Sequence, residues 1–186
     1  MRLHRPLTKL AQQTVAKVLQ PGGRAIDATM GNGQDTLFMA HLVAPHGQVI
    51  AFDIQSDAVA NTRAKLVASQ LDAVAELHLC GHEHLLAQVP ADWAGKVTAV
   101  MFNLGYLPGG DKALITRADT TVRALQQALT LLAPGGLISL MLYRGHTGAG
   151  SETAAVRHWL DGLDSRCRVS SHESPGPVLY LIEKRQ

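Results

Sequence analysis

Between Met101 and Lys112 the chain reads MFNLGYLPGGDK. An apolar run stops at Asn103, and glycine, tyrosine, proline, two further glycines and an Asp-Lys pair follow. A plain turn needs only one or two residues of special backbone preference. Asparagine offers a neutral carbonyl that accepts one N–H bond, and the backbone carbonyl of Leu104 or Gly105 can accept another. An amine held by both keeps its lone pair free, which is the geometry that methyl transfer to nitrogen requires. Tyr106 can stack on a planar base or cover the pocket. Asp111 and His146 are candidates to take the proton that a charged amine must lose. The competing reading is a glycine-rich connection in which Asn103 caps a turn.

A second stretch, Asp27-Ala28-Thr29-Met30-Gly31-Asn32-Gly33, joins an apolar run to a helical one. Glycine there lets backbone approach a ligand, and the following helix N-terminus offers free N–H groups. Asp53 lies twenty residues after Gly33. A carboxylate in that position can accept from both hydroxyls of a ribose. Two ligands fit this plan, a dinucleotide and S-adenosylmethionine. The dinucleotide fingerprint wants G-x-G-x-x-G, whereas Thr36 stands at the third glycine and Asp35 sets a negative charge near the pyrophosphate position. Asp27 suits a cationic amino-acid end, which favours S-adenosylmethionine.

These residues need a frame that brings them together. Helical spacing covers Leu7 to Leu19, with Pro21-Gly22-Gly23 ending it. RAIDA is a short buried strand, DTLFMAHLVA a helix, GQVIAFD a strand and SDAVANTRAKLVASQ a helix. AVAELHLC, EHLLAQV and KVTAVMFN follow as strand, short helix and strand. ADTTVRALQQALTLLA is a long amphipathic helix, predicted to end at Pro134-Gly135-Gly136, and LISLMLY is the fifth strand. SETAAVRHWLDGL is a helix, and CRVSSHE and PVLYLIEK flank Ser174-Pro175-Gly176 as a hairpin. Strand and helix alternate, and the strands are near-continuous apolar runs. That pattern predicts an α/β fold with a mostly parallel sheet, helices on both faces and an antiparallel C-terminal hairpin. Ligands of such sheets bind beyond the carboxyl ends of the strands. Asp27 to Thr36, Asp53, CGHEH, Asn103 and YRGHTGAG all fall at those ends.

At 186 residues the chain suits one domain. Charged residues make up 17% and the net charge is +2, which argues against disorder and does not announce a nucleic-acid binder. No apolar run reaches membrane-spanning length, and the basic start lacks the apolar stretch of a signal peptide, so a cytoplasmic setting is the simplest reading. Cys80 and Cys167 form no metal-type or redox-type pair. Cys80, His82 and His84 lack a fourth ligand, so no metal is expected. Arg2, Arg5, Lys9, Lys112, Arg117, Arg123 and Arg144 form either one positive rim or a scattered solvated set. YRGHTGAG either places Tyr143 and His146 over the acceptor or is a simple connection. Trp93 and Trp159 read as packing residues.

DATMGNGQDTLFMA, FDIQ, HEHL and FNLGYLPGGDK together resemble a bacterial family of small class I methyltransferases, long labelled rRNA methylases and including the YtqB-like proteins. Asn103-Leu104-Gly105-Tyr106 is itself similar to the Asn-Pro-Pro-Tyr signature of amino-group methyltransferases. The family resemblance runs from LTKLAQQ to LIEK. It implies a seven-stranded Rossmann-like sheet in one domain. It also implies the MnmM-type reaction, methylation of 5-aminomethyl-2-thiouridine at the tRNA wobble position, with S-adenosylhomocysteine as the second product. The partner implied is the tRNA anticodon region, with no membrane, and a homodimer is compatible.

The resemblance puts S-adenosylmethionine at Asp27, Thr29, Gly31, Asn32, Gly33 and Asp53, and the acceptor near Asn103 and Tyr106. Along the same strand ends the candidate cofactor set extends to Gln34, Asp35, Thr36, Ile54, Gln55, Gly81, His82, Glu83 and Asn103. Two departures stand out. Cys80-Gly81 occupies the place where an acid near the adenine is expected, and ESPGPVLYLIEK replaces an Asn and paired prolines in the hairpin. The alternatives are a methyltransferase of rRNA or a small amine, an NAD-type oxidoreductase, and a non-catalytic RNA-binding protein with the same fold.

Overall fold

The computed structural model describes residues 6–105, 116–144 and 149–185. Tyr106, Asp111, Lys112, His146, Arg2 and Arg5 lie outside the described residues. The strands are β1 (Arg24–Asp27), β2 (Gln48–Asp53), β3 (Ala75–Leu79), β4 (Val97–Leu104), β5 (Leu132–Leu142), β6 (Cys167–Glu173) and β7 (Val178–Lys184). The helices are α1 (Leu7–Val18), α2 (Gln34–Val43), α3 (Ser56–Ala68), α4 (Leu85–Gln88), α5 (Ala118–Leu131) and α6 (Ala149–Asp161).

All strands form one sheet in the order β3-β2-β1-β4-β5-β7-β6. The first five are mutually parallel, and β7 lies antiparallel between β5 and β6. Side chains of a strand alternate between faces, and here both faces are dry. Ala25, Val49, Ala99, Met101 and Met141 join Ala11 and Val15 of α1, Met39 and Val43 of α2 and Leu66 of α3. Their neighbours Ile26, Ile50, Val100, Phe102 and Leu140 join Leu125 and Ala128 of α5 and Val156 of α6 on the other side. This two-sided burial is why the strands read as continuous apolar runs. Edge strand β6 is mostly exposed.

Strand order reverses between β1 and β4, and the first loop sits in that crevice. The Ala28 N–H donates to the Met101 carbonyl of β4 and the Met30 N–H to the Phe52 carbonyl of β2, each at 2.9 Å. The loop is thus stitched to both diverging neighbours.

One boundary differs from the sequence expectation. α5 ends at Leu131, and Pro134-Gly135-Gly136 lies inside β5 rather than terminating the helix. Leu132 already pairs with Val97, and the next pair is Ala99 with Leu137, so the Pro-Gly-Gly residues bulge from the ladder. Gly135 has φ +78°, which a side chain would strain. The helix end is satisfied instead by Lys184 of β7. Its ammonium donates to the carbonyls of Leu129 at 3.2 Å and Leu132 at 2.7 Å.

Candidate functional site

The first loop is shaped by backbone demands that sequence alone only hints at. Gly31 and Gly33 have φ of +48° and +77°. A Cβ on Gly33 would also lie 2.7 Å from Thr62 Oγ1 and 3.0 Å from Thr62 Cα. Helix α3 braces this loop from outside. Thr62 Oγ1 donates to the Gly31 carbonyl at 3.1 Å, and Lys65 Nζ donates to the Asn32 carbonyl at 2.6 Å. Asn61 Nδ2 donates to Asn32 Oδ1 at 3.2 Å. The loop closes onto β2 through Asp53, whose Oδ2 accepts the Gly31 N–H at 2.9 Å and whose Oδ1 accepts the Gln55 N–H at 3.0 Å. Each carboxylate oxygen has a second lone pair, so Asp53 can hold the loop and still accept from a ligand hydroxyl. Ile54, next in the chain, is 53% exposed.

Asp27 ends β1 fully buried. Thr36 Oγ1 donates to its carboxylate at 2.6 Å and the Thr29 N–H donates at 3.2 Å. Burial, and then the charge of Asp35, push its pKa up to about 7 against those two hydrogen bonds. A buried acid this costly to ionise is the kind of group that a cationic ligand stabilises.

Asp35 stands in the first turn of α2, half-buried. Its Oδ1 accepts from Gln12 Nε2 of α1 and its Oδ2 from Asn103 Nδ2 of β4, both at 2.8 Å. The Asn103 N–H donates to Thr29 Oγ1 at 2.7 Å. Asn103 is therefore held at both its backbone and its amide nitrogen. Among the described residues no donor occupies its Oδ1. The two backbone carbonyls beside it each accept one N–H: Leu104 from Tyr143 and Gly105 from Thr116, both at 3.1 Å. Each keeps a second lone pair. Tyr143 is 39% exposed, and burial followed by the charge of Asp35 raises its phenol pKa. Its hydroxyl is thus within electrostatic reach of Asp35.

After β3 the chain turns tightly through His82–His84 into α4. The Glu83 carboxylate folds over Gly81, where a Cβ would collide with it. Burial first, and Glu83 next, raise the Cys80 thiol pKa. An acid is thus present beside Cys80-Gly81 after all, supplied from two residues downstream of Gly81. His82 is buried with its ring edge-on to Phe102 at 5.9 Å between centroids, and burial lowers its pKa, keeping it neutral. Gln127 of α5 clamps this turn, donating to the Glu83 carbonyl at 2.8 Å and accepting the Leu86 N–H at 2.9 Å.

The structure thus joins Asp27, Thr29, Asp35, Thr36 and Asn103 in one hydrogen-bonded network, and ties Asp53 to the same loop through the Gly31 N–H. Gln34 and His84 are exposed. Gln12, Thr62 and Lys65 are site-building residues that sequence reasoning missed. They come from α1 and α3, and no local pattern of either helix ties them to the loop. Glu152 was missed as well. It is buried at the start of α6 and accepts from Thr121 Oγ1 at 2.7 Å and Thr116 Oγ1 at 2.9 Å, tying two segments that flank the site. Two of the candidate rim cations among the described residues are paired with acids. Arg117 pairs with Asp119 at 3.4 Å and Arg144 with Glu173 at 3.3 Å, while Arg123 lines a cleft between α5 and α6.

Residues 49–175 match the family model for "Putative rRNA methylase". The chloroplastic tRNA (mnm(5)s(2)U34)-methyltransferase of Arabidopsis thaliana is 39% identical over 193 residues, spanning 96% of this chain and 69% of that protein. A Clostridium thermocellum crystal structure carrying the same rRNA-methylase description superposes with a TM-score of 0.91 at 36% identity, covering 99% of this chain and all of that one. SMU.1697c of Streptococcus mutans, solved in complex with SAH, gives 0.86 at 34% identity, covering 98% and 99%. These structural matches extend over nearly the whole chain, so the sheet, the first loop and the Asn103 segment all fall within them. The chain belongs to this rRNA methylase family of Rossmann-like class I methyltransferases.

Proposed function

We propose that the chain is an S-adenosylmethionine-dependent N-methyltransferase converting 5-aminomethyl-2-thiouridine to 5-methylaminomethyl-2-thiouridine at the tRNA wobble position. The observation that carries this reading is the state of Asn103. Its amide nitrogen is committed to Asp35, so its carbonyl is the end left to meet an acceptor N–H. The name of the Arabidopsis relative, tRNA (mnm(5)s(2)U34)-methyltransferase, points to a modified uridine at tRNA position 34.

The residues present fit the cofactor. Gly33 lets the first loop lie directly against Thr62 of α3, where a Cβ would collide, and α3 braces the loop further through Thr62 and Lys65. Asp27 supplies a buried carboxylate for a cationic amino-acid end, and Asp53 has lone pairs for ribose hydroxyls. Ile54 offers apolar surface beside Asp53, and the turn of Gly81, His82 and Glu83 follows β3 at the same end of the sheet. S-adenosylmethionine supplies a methyl on a sulfonium, whose C–S electron pair stays on sulfur as the amine lone pair forms the new N–C bond. The protein's part is to hold the amine in line. Asn103 Oδ1 accepts one amine hydrogen and the Leu104 or Gly105 carbonyl accepts the other. The lone pair then points away from both acceptors. The surplus proton of the product ammonium passes to water. Tyr143 offers a half-exposed ring on which the base can stack.

The same reading makes tRNA the macromolecular partner and the cytoplasm the setting of a one-domain enzyme. Among the described residues no helix is long and apolar enough to cross a membrane. The test is nucleoside mass spectrometry. Purified protein, S-adenosylmethionine and tRNA carrying 5-aminomethyl-2-thiouridine should yield that nucleoside heavier by one methylene. Cofactor binding without that product would overturn the tRNA assignment and turn the search to rRNA and small amines.

A further inference from the structure

An asparagine side chain has two ends of nearly equal shape and opposite hydrogen-bond polarity. If Asn103 meets an amine, the whole benefit depends on which end faces the acceptor. With the carbonyl forward, the amide accepts an amine hydrogen. With the NH2 forward, it opposes the amine donors and competes for the lone pair. Backbone anchoring by Thr29 does not decide between these, because it leaves the side-chain amide free to turn over.

Asp35 decides. Its carboxylate only accepts, so only the NH2 end of Asn103 can satisfy it at 2.8 Å. The opposite orientation would set two oxygens against each other. Asp35 is itself held from two sides. Gln12 Nε2 donates to its other oxygen at 2.8 Å. Its place in the first turn of α2 puts the charge at a helix N-terminus, where it is favoured. The three groups come from α1, α2 and β4, which no local sequence pattern connects.

We propose that Asp35, set by Gln12, is a positioning residue that locks the Asn103 amide with its carbonyl toward the acceptor and so selects a reacting group that bears N–H. The proposal rests on the amine-acceptor reading above and assigns Asp35 a role beyond lining the first loop.

The test is a swapped pair. Asp35→Asn lets either amide end face Asn103, and Asn103→Asp sets two carboxylates together. Each change should lower kcat by about 100-fold, the scale of a misplaced reacting group, while KM for tRNA moves by less than about threefold. In the double variant, the amide introduced at position 35 can donate to one oxygen of the carboxylate introduced at position 103 and leave the other oxygen facing the acceptor. That variant should recover at least about tenfold over the better single one, a coupling that independent sites do not show. Gln12→Ala should shift kcat the same way by a smaller factor.

A second readout needs neither cofactor nor tRNA. The side-chain amide signals of Asn103 in a 15N-labelled sample, identified by their loss in Asn103→Asp, should shift and exchange faster with water in Asp35→Asn. A double variant no better than the single ones, or amide signals indifferent to Asp35, would overturn the proposal. A wild-type enzyme silent on the tRNA amine, with the Asn103 signals still answering to Asp35, would sink the substrate reading and leave the positioning role standing.

Discussion

Replacing Asp27 with asparagine should make the ligand-free protein progressively more stable than wild type as pH rises. Burial and the neighbouring Asp35 carry Asp27 from its ordinary 3.8 up to about 7. The sign follows from where each state holds its proton. The unfolded chain releases it near the ordinary value, whereas the folded chain keeps it until about 7. Between those values unfolding is therefore increasingly favoured, and wild type loses stability as pH rises through the window. The full shift corresponds to roughly 4 kcal/mol at about 1.36 kcal/mol per unit. Roughly 2–3 kcal/mol of that falls between about pH 5 and pH 8. The group is fully buried, so solvent screening does not reduce the figure.

The substituted amide has nothing to ionise and keeps the shape of the carboxyl. Its NH2 faces one donor, either Thr36 Oγ1 or the Thr29 N–H, at a cost of about 1–2 kcal/mol. That cost is independent of pH and cancels when the variant-minus-wild-type difference is compared at two pH values. Urea unfolding of both proteins without ligand, at about pH 5 and pH 8, measures that difference directly. It should grow by roughly 2–3 kcal/mol in favour of Asp27→Asn. Parallel pH profiles, within about 0.5 kcal/mol, would refute the electrostatic account of this site. The same variant should bind S-adenosylmethionine at least about tenfold more weakly, because the carboxylate kept at such cost is the one suited to a cation.

Asn103→Ala should leave the S-adenosylmethionine Kd within about threefold and lower kcat by about 100-fold or more, read by calorimetry and single-turnover kinetics. Equal loss of both would argue against a role confined to the acceptor. Gly33→Ala should cost about 2–3 kcal/mol in urea unfolding. It combines a strained positive φ with a collision against Thr62, and cofactor affinity should fall in step. Asp53→Ala should free the Gly31 N–H and weaken cofactor binding about tenfold or more, with kcat at saturating cofactor changed much less. Lys184→Met should cost about 1 kcal/mol by uncapping the carbonyls of Leu129 and Leu132, with methyl transfer unchanged.

Much of the frame was legible locally because its signals are local. Near-continuous apolar strands separated by amphipathic helices predict a sheet buried on both faces, and the parity of Ala25 with Ile26 or Met101 with Phe102 bears that out. Glycines at 31 and 33 announced positive φ, and both have it. The Pro134-Gly135-Gly136 boundary misled because the same residues that stop a helix also make a bulge. Long-range pairing of Leu132 with Val97 decided between the two. The acid expected after β3 was sought at Cys80-Gly81, but a tight turn brings Glu83 back over Gly81.

Residue type and spacing were sufficient to place polar chemistry at the carboxyl ends of the strands, because a parallel sheet leaves it nowhere else to gather. They also singled out Asp27, Asp53 and Asn103, which the fold brings to that end of the sheet and ties to the first loop. The polarity of the site came only with the tertiary fold. Asp27 became a carboxylate hard to ionise because the end of β1 is buried and the charge of Asp35 adds to that cost. Asn103 acquired a direction because α1 and α2 bring Gln12 and Asp35 against a strand sixty-eight residues beyond Asp35. Burial and the orientation of hydrogen bonds depend on what the distant chain packs nearby, and no window of sequence contains that information.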